Sequence, residues 1–353
     1  MKLIKLELAG FKLIHQCSIE LDALNILVGA NGVGKSSFIS FFKLLNRMMS
    51  NNLQEYLAKL GSIESLFHQG LQPTTQITAT FHFASENDEN AYYLRWIVEN
   101  DQILTFADES LLFTHQGKFN NSVSFGAGHQ ESKLADPETQ GKTARSIKTL
   151  LQHCRVYSFQ DTSHRAYVRR SANISDNRYL MHDGGNLAAI LFHLKKNNPD
   201  RYQKIRDTIE TVFPPFEDFI LELSGSSKQI ITLKLKEKGI HKGFAAAHLS
   251  EGLLRMICLT TLLLQAELPA ITVIEEPELG LHPRAINLLA DMLNIASQST
   301  QIIISTHSVE LVDQFAPERT IIVERDYQGV SVFKRLPHAP LEEWLEKYSV
   351  GEF

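Results

Sequence analysis

The segment GANGVGKSS, Gly29–Ser37, matches the pattern G-x-x-x-x-G-K-[ST] at every fixed position. Glycines at these places let the backbone form a nest whose N–H groups point at phosphate oxygens, and the lysine reaches the β- and γ-phosphates. We therefore predict a nucleoside triphosphate site in which Lys35 is also catalytic and Ser36 holds Mg²⁺ through its hydroxyl. The predicted nucleotide-binding residues of this segment are Asn31, Gly32, Gly34, Lys35, Ser36 and Ser37.

Two adjacent acids end the apolar run AITVIEEP, Ala270–Pro277. Glu275, at the end of the predicted strand, is placed to bind Mg²⁺ through water, and Glu276 is placed to orient and deprotonate an attacking water. Apolar runs that end in acids also occur where a strand simply enters an acidic turn. The pattern therefore indicates a hydrolytic carboxylate, with an ordinary acidic turn as the alternative.

Two further strand ends carry polar side chains. The run IIISTHS, Ile302–Ser308, brings His307 to the C-terminal end of a predicted buried strand, where open α/β sheets bind their ligands. We expect His307 to contact the γ-phosphate or the attacking water. Gln160 ends the strand RVYSFQ and is a candidate ligand of Mg²⁺ or water, although glutamine at a strand end is also common without that role.

The segment LSEGL, Leu249–Leu253, opens a long apolar helix. Ser250 is a predicted N-cap, and Gly252 leaves backbone N–H groups open, so Ser250, Glu251 and Gly252 form a candidate anion site. A plain N-cap without a ligand is the alternative.

Periodicity predicts the elements that must position these residues. Residues 2–9 and Leu24–Val28 predict strands, and Ser36–Met49 repeats apolar residues at helical spacing, so the glycine-rich loop joins a strand to a helix. From residue 270 to residue 323 predicted strands and helices alternate, which indicates a parallel α/β sheet. Phe11 either packs near a nucleotide base or belongs to the core.

Composition limits the class of protein. The chain has 353 residues, 43% of them apolar, and its net charge of -5 excludes a surface that binds polyanions uniformly, although a local basic patch stays open. Three scattered cysteines argue against a zinc site or disulfides and for a reducing compartment. The chain shows neither a secretion signal nor an uninterrupted apolar span, so we expect a cytoplasmic protein without a membrane partner.

The five motifs occur in the order typical of an ABC-type ATPase head. The opening LELAGFKLIHQCSIEL, the run EEPELGLHP (Glu275–Pro283) and the THS turn increase the likeness. Together they resemble the RecF/SMC-like AAA ATPases of the ABC superfamily, a group that includes the ATPase part of OLD-family nucleases and ATPases of phage-defence operons. The resemblance extends to three more segments, YSFQDTS, DNRYLMHDGGNLAAIL and EWLEKYSVGE.

This resemblance implies one ABC-type P-loop ATPase head over residues 1–353, with an α/β fold and a mixed or parallel sheet core. It implies a β-rich insertion at 50–148, in which Gly126–Gly141 is expected to be a mobile loop. It further implies a helical signature lobe at 161–267 and a return to the core at 268–335. A helical tail is expected at 336–353, including a short helix at Leu341–Tyr348.

In such ATPases two heads enclose two nucleotides, so a homodimer or higher homo-oligomer is implied, with ATP and Mg²⁺ as cofactors. Only ATP, not ADP, extends far enough to join the two surfaces, and the positive end of a helix favours that contact. The residues implied to act from the partner subunit are Ser250, Glu251 and Gly252. The residues implied to act in cis are Lys35, Ser36, Ser37, Gln160, Glu275, Glu276 and His307.

Three functions are compatible with this class. The first is an ATP-dependent regulator of a separate, nuclease-like effector in antiphage defence, because the 46 residues after His307 are too few for a Toprim nuclease domain. The second is a DNA-binding clamp in repair or recombination, and the third, least favoured, is the ATPase subunit of a transporter. Candidate DNA-phosphate contacts, which could equally be solvated or internal charges, are Arg165, Arg169, Arg170 and Arg178.

Overall fold

The computed structural model describes residues 1–85, 88–99, 103–115, 118–136, 138–139, 141–225 and 229–336. It consists of two compact units, the first made of Met1–Arg155 and the chain from Ala316 onward, the second of Val156–Phe315. The predicted helix Leu341–Tyr348 lies outside the described residues. Within the described ranges, the helices lack the length and apolar character that a membrane crossing needs.

The strands and helices are numbered along the chain. The strands are β1 (Lys2–Phe11), β2 (Ile14–Glu20), β3 (Leu24–Val28), β4 (Gln76–Ala84), β5 (Glu89–Glu99), β6 (Ile103–His115), β7 (Lys118–Gly126), β8 (Cys154–Ser158), β9 (Ala172–Asn173), β10 (Phe216–Ser224), β11 (Ile230–Glu237), β12 (Phe244–Ala245), β13 (Ile271–Glu275), β14 (Gln301–Thr306), β15 (Thr320–Arg325) and β16 (Ser331–Arg335). The helices are α1 (Lys35–Met49), α2 (Leu53–Leu60), α3 (Lys142–Gln152), α4 (Leu187–Asn197), α5 (Pro199–Val212), α6 (Glu251–Leu264), α7 (Pro283–Ala296) and α8 (Val309–Val312).

The first unit contains an antiparallel sheet in the order β2-β1-β4-β5-β6-β7. In β4 buried and partly exposed residues alternate, as a strand with one covered face requires. The strand predicted at residues 2–9 corresponds to β1, and β4 to β7 lie within the range 50–148 that is expected to be a β-rich insertion. Strand β2 was not predicted, because only three of its seven positions are buried and the others are polar.

Helix α1 covers the buried face of this sheet. The ring of Phe41 lies 5.3 Å from that of Phe11, 5.9 Å from that of Phe81 and 6.3 Å from that of Trp96. Phe38, on the same helix, lies 5.6 Å from the Phe333 ring of β16. Aromatic packing therefore fixes the helix that follows the glycine-rich loop. It also confirms the core interpretation of Phe11, which is fully buried.

A buried carboxylate organises part of the insertion. Glu109 on β6 accepts hydrogen bonds from Tyr92 (2.6 Å), Ser132 (2.5 Å) and His129 Nε2 (2.7 Å). Two backbone N–H groups, those of Lys133 (2.9 Å) and Leu134 (3.3 Å), also donate to it. This carboxylate therefore holds residues 129–134 against the sheet.

Parallel strands occur in both units, as the alternation of elements predicted. In the first, β15 pairs in parallel with β3 and antiparallel with β16. In the second, β13 pairs in parallel with β14 from Ile271 opposite Gln301 to Glu275 opposite Ser305. Because parallel strands end at the same sheet edge, β13 and β14 deliver their last residues side by side.

The second unit also contains the helices α4, α5 and α6. An additional antiparallel sheet, β10-β11-β12 with β9 beside β11, lies in the same unit. The sequence did not predict β10, in which polar residues on both faces weaken the alternation.

Candidate active site

The predicted phosphate loop lies between β3 and α1, in the strand-loop-helix order that its chemistry requires. Gly34 has a φ of 123°, and a Cβ atom there would lie 2.4 Å from Ser331 Oγ, so this position needs glycine. The side chain of Lys35 is buried, and its Nζ donates to the carbonyl oxygens of Gly29 (2.5 Å) and Ala30 (2.8 Å). The ammonium group is thus held within the loop that would hold the phosphates.

The tip of the loop is anchored by a residue that sequence analysis missed. Arg325, at the end of β15, donates from Nε (3.1 Å) and Nη2 (2.8 Å) to the carbonyl oxygen of Gly32. The two residues are 293 positions apart, so no local pattern pointed to the contact. Asn31, Gly32 and Ser36 are exposed here, whereas Ser37 is buried.

A cavity of about 560 Å³ opens beside Ser37 in the same unit. Its volume falls within the range of ordinary small-molecule sites. The residues that line it are Lys12, Leu13, Ser37, Glu64, Ser65, Phe67, Gln69 and Gly70.

In the second unit, the tandem acids lie where β13 ends. Glu275 is the last residue of the strand, and the N–H of Glu276 donates to the carbonyl oxygen of Ser305 (2.9 Å). Glu276 has a φ of 45°, which lies in the left-handed region that residues other than glycine rarely adopt. Such a conformation costs about 1–3 kcal/mol and is concentrated at functional sites.

His307 follows β14, directly beside the acids. Its Nε2 lies 3.5 Å from Oε1 of Glu276, and both side chains are about one-third exposed (33% and 27%). The structure thus brings together two of the predicted catalytic residues. Their pairing allows the imidazole to orient the carboxylate while both stay open to a ligand.

The start of α6 has the predicted N-cap. Ser250 Oγ accepts a hydrogen bond from the N–H of Leu253 (3.3 Å). At Gly252 a Cβ atom would lie 2.4 Å from the carbonyl oxygen of Gly280, so glycine is needed here for close packing as well. The role of Ser250, Glu251 and Gly252 at a partner's nucleotide stays a prediction.

A buried arginine connects three segments of the second unit. Arg255 on α6 donates to the carbonyl oxygens of Phe159 (3.0 Å), Gln160 (3.2 Å) and Leu279. Burial lowers the pKa of its guanidinium, and this effect is opposed by nearby carboxylates that include Glu251 and Glu278. A single charged residue in an apolar helix was the signal in the sequence, and its partners could not be identified from there.

The proposed arginine cluster divides into internal and exposed members. Arg169 donates to the carbonyl oxygens of Thr162 (2.7 Å), Ala246 (2.6 Å) and Leu249 (3.0 Å), so it serves the second unit internally. Of the alternatives that the sequence left open for Arg169, these bonds support an internal charge. Exposed members of the cluster are Arg165, Arg170 and Arg178.

The predicted site residues divide between the two units. The first contains Asn31, Gly32, Gly34, Lys35, Ser36 and Ser37, and the second contains Gln160, Ser250, Glu251, Gly252, Glu275, Glu276 and His307. Ser36, Gln160 and Glu275 offer oxygen ligands, which Mg²⁺ prefers. Across the described part of the chain there is no group of three or more His, Cys, Asp or Glu residues placed for a metal.

Comparisons with known proteins place the fold. A solved SMC head bound to the C-winged helix domain of ScpA aligns with a TM-score of 0.63 and 15% identity, covering 98% of this chain and 100% of that one. An Smc head with an extended coiled coil, bound to the C-terminal domain of ScpA from Pyrococcus furiosus, aligns with a TM-score of 0.57 and 15% identity, covering 98% and 99%. The fold is therefore that of an ABC-type P-loop ATPase head.

Sequence comparison then gives the family. Residues 24–313 match the family described as "AAA domain, putative AbiEii toxin, Type IV TA system", and the chain belongs to this family of ABC/AAA ATPases. A stretch of 98 residues is also 35% identical to a "Putative ABC transporter ATP-binding protein" of Methanosarcina acetivorans. That match spans 28% of this chain and only 32% of the relative.

Proposed function

We propose that this chain binds ATP with Mg²⁺ and hydrolyses it, with Glu276 as the general base. The observation that carries the proposal is the pair of Glu276 and His307, 3.5 Å apart at the ends of two parallel strands. The strained backbone of Glu276 supports a chemical role for this residue. Membership of the ATPase family and the phosphate loop both indicate that the nucleotide is ATP.

The proposed reaction is an in-line attack of water on the γ-phosphorus. The water transfers a proton to Glu276 as its oxygen bonds to phosphorus and the bond to the bridging oxygen of ADP breaks. Lys35 stabilises negative charge on the phosphate oxygens, and His307 orients the base. Bound Mg²⁺ would supply charge neutralisation at the phosphates, held by Ser36, Gln160 and Glu275.

The proposed active form is a homodimer in which Ser250, Glu251 and Gly252 of one copy contact the γ-phosphate held by the other. Support comes from the N-terminus of α6, which Ser250 caps, because the positive end of a helix favours an anion. ATP would therefore hold the dimer together, and hydrolysis would release it.

The proposed role of this cycle is to regulate a separate nuclease-like effector in antiphage defence, in the cytoplasm. Support comes from the family description, which refers to a putative toxin and a type IV TA system. The resemblance of the segment Glu275–Pro283 to the RecF/SMC-like group, which includes ATPases of phage-defence operons, supports the same assignment.

A DNA-binding clamp is the second candidate, favoured by one surface feature. The Arg170 guanidinium lies 4.5 Å from the centre of the Tyr167 ring, which is 61% exposed, and Arg178 lies 5.1 Å from that of Tyr179. Arginine and aromatic side chains arranged in this way bind nucleic acids. The SMC-head fold is compatible with this function.

ATP turnover tests the main proposal. Glu276→Gln should lower turnover by about 10³-fold while ATP still binds, because the amide cannot accept the proton. Glu267→Gln is the matched control, since this exposed acid precedes the same strand. Light scattering should show Glu276→Gln as an ATP-dependent dimer. Hydrolysis by Glu276→Gln at the parent rate would refute the assignment of the base.

Duplex binding separates the two cellular roles. A clamp should bind DNA more tightly with ATP, lose affinity steeply as salt rises, and weaken when Arg165 and Arg178 are replaced by alanine. A regulator should instead bind and control an effector in an ATP-dependent way, without that salt-dependent DNA binding.

A further inference from the structure

A third acid of the run EEPE is buried beside the proposed base. Glu278 is 9% exposed, and its Oε1 accepts hydrogen bonds from Thr306 Oγ1 (2.6 Å) and from the N–H of His307 (3.1 Å). This carboxylate therefore holds the turn that presents His307. Because it is buried, it offers little surface of its own to a ligand.

The hydrogen bonds continue through the turn. Thr306 Oγ1, which donates to Glu278, accepts from the N–H of Ser308 (2.9 Å). Ser308 Oγ in turn caps α8 by accepting from the N–H of Leu311 (3.1 Å). One carboxylate thus fixes the backbone on both sides of His307.

Burying this carboxylate is costly. Among the described residues, Oε2 of Glu278 has no hydrogen-bond partner. A buried polar atom without a partner destabilises a protein, and a buried carboxylate does so more than a neutral group. The nearby Arg255 guanidinium offsets part of this cost electrostatically. Both hydrogen bonds to the turn use Oε1 alone, however, so the second oxygen adds nothing to the turn itself, and we take the acid as a sign of functional constraint.

We infer that Glu278 is a positioning residue for hydrolysis, which fixes Thr306–Ser308 so that the ring of His307 keeps the Glu276 carboxylate in place. The inference rests on the proposed function, since it assumes that Glu276 activates water. Glu278 touches neither the water nor the nucleotide in this scheme. Instead it acts through the backbone of His307. Along the chain, Glu278 lies three residues after the proposed metal ligand Glu275.

The test compares four variants of the full chain. Glu278→Ala removes the acceptor, Thr306→Val removes the donor, and Thr306→Ser restores the hydroxyl. Thr272→Val is the matched control, because Thr272 is a fully buried threonine on the neighbouring strand whose hydroxyl has no partner among the described residues. Thermal unfolding confirms that each variant is folded.

We expect Glu278→Ala to lower kcat by about 10²-fold, the scale of a 1 Å displacement of a reacting group, with KM and the affinity for a fluorescent ATP analogue unchanged. Thr306→Val should lower kcat by about 10-fold on the same argument, and Thr306→Ser should restore it to within about threefold of the parent. Thr272→Val should keep the parent kcat. If Glu278→Ala does not fold, the two threonine variants decide.

The inference would be overturned if Glu278→Ala and Thr306→Val both had the kcat of the parent. It would also be overturned if these variants lost ATP affinity by the same factor as kcat. Glu276→Gln is measured alongside. If Glu276→Gln is inactive while Glu278→Ala and Thr306→Val are both fully active, only the positioning role fails. If Glu276→Gln turns over at the parent rate, the proposed function itself fails.

Discussion

Nε2 of His307 lies 3.5 Å from Oε1 of Glu276, across the ends of two parallel strands. The backbone of Glu276 is held by Ser305, the residue that precedes the THS turn by one position. Glu276, the proposed base, and His307 are therefore fixed by the same strand pair, so we expect a change at one to alter the chemistry of the other.

Replacing His307 with alanine should lower kcat by about 10²-fold with little change in KM, because orientation of the base is lost while nucleotide contacts remain. Steady-state ATPase kinetics measure both constants. His193→Ala serves as the control, since this histidine of α4 bonds only to the exposed Asn197 side chain among its described side-chain contacts. Equal kcat in the His307 and His193 variants would show that the histidine has no part in hydrolysis.

Arg255→Met should lower the free energy of unfolding by about 3 kcal/mol, because it leaves the carbonyl oxygens of Phe159, Gln160 and Leu279 without their charged donor. Arg255→Lys should recover only part of this loss, since lysine lacks the planar fork that reaches all three. Urea denaturation provides the measurement. The exposed Arg284 on α7 gives the control variant Arg284→Met, and a similar loss there would contradict the account.

Glu109→Ala should lower the free energy of unfolding by about 3–5 kcal/mol, the usual result of removing one partner from a buried charged network. The hydroxyls of Tyr92 and Ser132 would then lose their acceptor. Chemical denaturation tests this against Glu99→Ala, an exposed acid at the end of β5. Stabilities equal to the parent for both variants would show that the network contributes nothing.

Burial raises the pKa values of the thiols of Cys17 and Cys154 to about 12. Since these values exceed the unfolded value of about 8.5, the thiols' contribution to stability is complete below about pH 8.5 and is lost as pH rises toward 12. At pH 8, alkylation by iodoacetamide should be about 10³-fold slower in the folded protein than in urea. Mass spectrometry follows each cysteine separately, and modification of Cys17 at the unfolded rate would contradict its burial.

The sequence predicted those parts of the fold whose signals are local. The spacing of Gly29–Ser37 located the loop between β3 and α1, and apolar runs ending in polar residues located β13 and β14. Strand β10 and the helices α2 and α3 were missed, since short or weakly patterned elements form only in the context of their neighbours.

Prediction of the candidate site was limited in the same way, to residues that carry a local signal in the sequence. Glu276 and His307 could be chosen as site candidates because each follows an apolar strand. Arg325 and Arg255 were missed because their partners are backbone carbonyls far away in sequence, which leave no mark on local composition. For Arg169 the sequence left an internal charge and a DNA contact open, since an internal arginine and an exposed one look alike in a sequence.

We propose that ATP is hydrolysed at sites that a second copy of the chain completes. Lys35→Ala destroys the phosphate loop and Ser250→Arg blocks the surface that faces the partner, so each variant alone should be inactive, while Ser250→Arg still binds ATP. In an equimolar mixture half of the dimers are mixed, and each has one complete site, so turnover should return to about a quarter of the parent rate.

A mixture as inactive as its two components, or full turnover by Ser250→Arg alone, would contradict the claim.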